Sequence, residues 1–84
     1  MYYVYILKDK KEELYFGYTH NLKRRLKERN MNNNNNNNNN WKFVCYEAYL
    51  TELDARKREI QLKRHGQAKA HLKRRLQYSL SFKN

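Results

Sequence analysis

Apolar and polar positions alternate in blocks along this chain, and the blocks predict its elements. Tyr2 to Leu7 is an unbroken aromatic and β-branched run, the pattern of a strand buried on both faces. Lys8 to Glu13 is entirely charged and reads as an exposed turn, and Leu14 to Thr19 returns to apolar and aromatic residues as the second strand of a hairpin. That turn lacks the Gly or Asn of a tight two-residue loop, so a longer connection is expected.

Asn21 then offers a side-chain acceptor for a helix to about Arg29. Leu22 and Leu26 face the sheet there, Lys23, Arg24 and Lys27 point elsewhere, and Arg25 and Arg29 share a face at the rim of the core. Trp41 to Leu50 is the third strand. Thr51 with Asp54 has capping-box spacing for a helix from about Glu52 to Arg64 that stops near Gly66, and Ala68, Leu72 and Leu76 mark a last helix over about 67–77. The fold class is therefore α/β, a three-stranded antiparallel sheet flanked by helices in the order β-β-α-β-α-α.

Length and composition narrow this picture. Eighty-four residues suit one domain, 1–84, with a modest core to which the eight tyrosines contribute much of the buried area. The nine consecutive asparagines from Asn32 to Asn40 offer nothing apolar to bury, and 31–40 reads as a disordered Asn-rich loop. The lone Cys45, in an apolar run, reads as a core thiol. It excludes an internal disulfide framework and cysteine-based zinc spacing, and suits a reducing cytoplasm. Neither a leader nor a membrane-spanning run is visible.

The formal charge of +11 is spread from Lys8 to Lys83, so nucleic acid is the first partner to consider, ahead of an anionic membrane or an acidic protein.

Chemistry-bearing candidates are few. Glu59 lies in helical projection between Ala55 and Leu62, on a stripe otherwise apolar, where a carboxylate needs a salt bridge, a metal ion or a proton. Leu53 and Ile60 form a second apolar line, so periodicity leaves the buried face of that helix open. Tyr3, Tyr5 and Tyr15 share the odd-numbered sides of their strands, and a hairpin sets Tyr5 beside Tyr15. His20, His65 and His71 are scattered among polar residues, which is the pattern of solvent exposure.

In order, Tyr3-Val4-Tyr5, Tyr15-Phe16-Gly17, Asn21-Leu22-Lys23-Arg24-Arg25-Leu26, Trp41-Lys42-Phe43-Val44 and Ala55-Arg56-Lys57-Arg58-Glu59 resemble the GIY-YIG nuclease superfamily. The chain looks most like small stand-alone members of UPF0213 type, related to the nuclease domain of the bacterial excision-repair incision subunit. The resemblance implies a metal-dependent endonuclease hydrolysing DNA phosphodiester bonds, acting as a monomer and associated with DNA repair. It implies that Tyr5 and Tyr15 line the active site and activate water, that Arg25 contacts the scissile phosphate, and that Glu59 holds one divalent ion, magnesium or manganese.

Lys23, Arg24, Arg29, Lys63 and Arg64 are the candidates for nucleic-acid backbone contacts. Tyr3 stands where the family's first motif begins with glycine, and Arg29 where many relatives carry a histidine. The alternative is a nucleic-acid-binding module of the same fold with weak or no catalysis.

Overall fold

The computed structural model describes residues 1–31 and 40–82, and its central element is the aromatic run near the N-terminus. That run is β1 (Tyr2–Lys8), flanked by β2 (Leu14–Thr19) on one side and β3 (Lys42–Tyr49) on the other, both antiparallel to it. The helices are α1 (Leu22–Met31), α2 (Glu52–Arg64), α3 (Gly66–Arg75) and the short α4 (Gln77–Ser81). The expected α/β order holds, with α4 added at its end. The asparagine run expected as a disordered loop lies outside the described residues except for Asn40, and Met31, counted with that loop, instead closes α1.

Position in the sheet explains the composition of β1. With a strand on each side and side chains packed on both faces, Val4, Tyr5, Ile6 and Leu7 are all buried. The even-numbered face joins Val4 and Ile6 to Phe16, to Ala55 and Leu62 of α2 and to Leu72 of α3. The odd-numbered face joins Tyr5 and Leu7 to Trp41, with Tyr15, Leu22, Leu26 and Phe43 packed around them. A bulge in β3 shifts register between Ile6 and Leu7, leaving Val44 as the extra residue between Cys45 and Phe43. Cys45, expected in the core, is only half-buried on this edge strand, and burial pushes its thiol up.

Side-chain caps begin α1 and α2. Asn21 Oδ1 accepts from Arg24 N at 3.0 Å, and Thr51 Oγ1 accepts from Asp54 N at 3.3 Å. Asp9 shapes the charged turn between β1 and β2, its Oδ1 accepting from both Lys11 N and Glu13 N at 2.9 Å. The break after α2 is made by His65, whose extended backbone ends the helix; Gly66 opens α3 without adopting a positive φ. The last long helix ends at Arg75 because Leu76 N donates to both Leu72 O and Lys73 O, a tightening that precedes α4.

Ala55 and Leu62 are buried while Leu53 and Ile60 are exposed, so the sheet and α3 select the first of the two apolar lines on α2. Glu59 lies on the selected side.

Candidate active site on the odd-numbered sheet face

Tyr5 is the centre of the site, on the middle strand and only 2% exposed. Its cross-strand partner is Gly17, and the missing side chain leaves room for the tyrosine ring to lie across β2. A Cβ at Gly17 would sit 2.5 Å from Tyr5 Oη and 2.7 Å from Cζ. Tyr15, two residues earlier on the same strand, has its ring centroid 6.3 Å from that of Tyr5, and Phe43 meets Tyr5 edge-on at 6.2 Å. The two tyrosines expected to meet do meet, because their register puts them diagonally across one face.

Three charged groups, Arg25, Arg29 and Glu59, act electrostatically on the Tyr5 hydroxyl. Burial pushes it up to about 12, reinforced by Tyr15 and by the charge of Glu59, while the cations of Arg25 and Arg29 pull the other way. Glu59 and Lys63 come from α2, which packs on the opposite face. Lys63 nonetheless reaches Tyr15 of β2, an edge strand of the sheet. The Glu59 side chain is 17% exposed, with Lys63 Nζ 3.1 Å from its Oε2 and 5.8 Å from the Tyr15 ring centroid.

Arg25 departs from its expected place at the rim of the core. Its side chain is 45% exposed, held loosely by Glu28 at 3.7 Å, because α1 buries only its leucine stripe. Arg29 takes the inner position one turn on. Its guanidinium lies 3.8 Å from the Tyr15 ring centroid and 4.9 Å from that of Trp41, and its Nε is buried with no hydrogen-bond partner among the described residues. Of the other cations expected to meet a polyanion, Lys23, Arg24, Lys63 and Arg64 are exposed. His20, His65 and His71 are exposed as well.

Two site features were not anticipated from the sequence. Trp41 is buried against Tyr15 at 6.2 Å, and Asn30 pins its backbone by accepting from Trp41 N at 2.8 Å and donating to Trp41 O at 3.3 Å. The usable signal was a tryptophan at the head of a strand facing an asparagine at the end of an arginine helix. The second is the identity of Glu59's partner: the salt bridge that was one of its expected outcomes is made to Lys63, as their i, i+4 spacing announces.

A three-stranded antiparallel sheet with paired tyrosines, an arginine helix on the same face and a glutamate delivered from a later helix defines a nuclease-type α/β domain. Residues 1–78 match the GIY-YIG catalytic domain, and the chain belongs to the GIY-YIG family. A UPF0213 protein of Clostridium perfringens is 37% identical over 67 residues, spanning 76% of this chain and 72% of that protein. The solution NMR structure of a UPF0213 protein of Bacillus halodurans superposes with a TM-score of 0.57 at 25% identity, covering 96% of this chain and 94% of the other. Nucleases of this family generally use a divalent metal, and the family supports nucleic acid as the partner. No helix among the described residues is long and apolar enough to cross a membrane.

The residues present fit such an ion. Among the described residues no group of three or more His, Cys, Asp and Glu gathers to enclose one. A single carboxylate suits a hard cation that keeps most of its waters and shares phosphate oxygens, as magnesium does, and the Lys63 ammonium on its Oε2 would have to make way for the ion or leave it the other oxygen.

Proposed function

We propose that this protein is a metal-dependent endonuclease that hydrolyses DNA phosphodiester bonds by one-step attack of water. The observation that carries the reading is the pairing of Tyr5 with Tyr15 on one sheet face, with the Arg29 guanidinium 3.8 Å from the Tyr15 ring centroid and Lys63, which holds Glu59, 5.8 Å from it. Arg25, Arg29 and Glu59 thus all act electrostatically on Tyr5.

Tyr5 remains protonated at neutral pH, so it serves as a fixed hydrogen-bonding group that orients the attacking water. Tyr15, the less buried of the two phenols, accepts a hydrogen bond from the attacking water, whose proton passes to solvent as its oxygen bonds to phosphorus and the bond to the leaving oxygen breaks. Arg25, free to swing because it is half exposed, places its planar fork on the phosphate oxygens as charge builds there and the leaving oxygen departs. Glu59 would hold one magnesium or manganese ion, which supplies Lewis-acid stabilisation at the phosphate when bound.

Arg29 is held by its two aromatic neighbours and keeps a fixed positive charge beside the phosphate path, where many relatives use histidine. Lys23, Arg24, Lys63 and Arg64 supply backbone contacts that carry no sequence preference. The same reading makes 1–84 one domain acting as a monomer in a reducing cytoplasm, in keeping with its lone half-buried cysteine.

The test is incubation of labelled single-stranded, duplex and branched DNA with magnesium, with manganese and with chelator, beside Glu59→Ala and Arg25→Ala. Cleavage should vanish in chelator and in Glu59→Ala, and Arg25→Ala should lower the rate about 100- to 1,000-fold. Undiminished cutting by Glu59→Ala would overturn the assignment. Firm binding with no cutting on any substrate would favour the binding module instead.

A further inference from the structure

The face that carries Tyr5 and Tyr15 extends beyond the part covered by α1 and Trp41. Tyr46 of β3 stands opposite Tyr5 in register and Ala48 stands opposite Tyr3, so both point to the same face one strand over. Tyr46 is 56% exposed, and Ala48 beside it is exposed and small. The Tyr46 ring is not loose, however. Tyr3 meets it edge-on, with centroids 5.7 Å apart and planes at 80°.

A braced, outward-facing aromatic ring on the same sheet face as the Tyr5 hydroxyl, about 10 Å away across two strand spacings, on a domain of formal charge +11, has a chemical complement. Cations hold the backbone of a nucleic acid, and an open π-face stacks a base that is not already stacked in a duplex. Bases within a continuous duplex keep their faces against their neighbours and cannot use such a ring unless they are first turned out.

Resting on the nuclease reading above, we propose that Tyr46, braced by Tyr3, stacks an unpaired base a nucleotide or two along the strand from the phosphate bound at the Tyr5 site. The preferred substrate is therefore DNA that presents single-stranded character there, such as a free strand, a flap or a frayed junction. Tyr46 is a specificity-determining residue and takes no part in the bond-breaking step.

The test is fluorescence anisotropy in chelator, where binding is read without cleavage, using a labelled single strand and the corresponding blunt duplex. Tyr46→Ala should weaken single-strand binding about 5- to 150-fold. Duplex binding, carried by phosphate contacts, should change by about twofold or less. Tyr46→Phe and Tyr46→Trp should restore the preference, and a single strand of abasic sites should bind wild type and Tyr46→Ala alike. Thermal melts of the variants check that the exposed substitution leaves the fold intact.

Equal single-strand affinity of Tyr46→Ala and wild type, or equal losses on both ligands, would overturn the proposal while leaving the nuclease reading standing. Failure of the wild type to bind either nucleic acid would overturn both.

Discussion

Replacing Gly17 with alanine tests the geometry on which the candidate site depends. The added Cβ would lie 2.5 Å from Tyr5 Oη, 2.7 Å from Cζ and 3.2 Å from Cε2, so the ring or the strand must shift. The ring has little freedom, being 2% exposed and wedged against Tyr15 and Phe43. Overpacking of this kind costs about 1–3 kcal/mol. Alanine returns about 0.5–1 kcal/mol, because glycine loses more freedom when a strand forms and the φ of Gly17 is not positive. The difference spans about 0–2.5 kcal/mol, and two contacts under 3.0 Å to a ring wedged in place put the loss in the upper half, about 1.2–2.5 kcal/mol, which for a domain of this size lowers Tm by about 5–20 °C.

The assay is a melt of Gly17→Ala alone and in a Tyr5→Leu background, where the aromatic ring that clashes is gone. The two substitutions should be coupled, with alanine costing far less in the second background. Equal costs in both backgrounds, or a Gly17→Ala protein as stable as wild type, would refute the reasoning.

Three further outcomes follow from the charge environment. Burial alone would raise the Glu47 carboxyl, but hydrogen bonds from Arg58 and Tyr49 and the charges of Arg58 and Arg75 outweigh it and hold the carboxyl below its ordinary value. A depressed folded-state value gives stability that is present above the unfolded carboxylate range and lost as pH falls through the folded one. Melting temperature should therefore drop below about pH 4, and Glu47→Gln should flatten that slope.

Tyr5 is pushed up to about 12 chiefly by burial, and Tyr49 to about 12 by burial and its hydrogen bond to Glu47. These raised values stabilise the fold fully below the unfolded phenol value near 10 and progressively less as pH climbs from there toward 12. Ultraviolet titration should show a late phenolate fraction that shrinks in Tyr5→Phe and in Tyr49→Phe. Arg29→Ala removes a cation stacked on Tyr15 and Trp41 and should cost about 1–2 kcal/mol in urea unfolding, with a change in Trp41 emission. Unchanged emission would place the guanidinium elsewhere in solution.

How much of this was legible depends on the range of the interaction. The strands, the caps at Asn21 and Thr51 and the pairing of Tyr5 with Tyr15 depend on periodicity and near neighbours, and all are visible in order along the chain. The inward position of Arg29 was not, since Arg25 and Arg29 share one helical face. The choice between them rests on Trp41, whose placement depends on an eleven-residue span and on the side chain of Asn30.

By itself the sequence determined the alternation of elements, the aromatic first strand and the strong positive charge, because backbone propensity and side-chain chemistry act locally. Tertiary structure decided which stripe of α2 is buried, and so where Glu59 stands. That helix carries two apolar lines of similar strength, and only the sheet and α3 packed against it distinguish them. It also decided what Gly17 does. A glycine in a strand gives no sign of what crosses it until register sets Tyr5 on the neighbouring strand, with its hydroxyl over the gap.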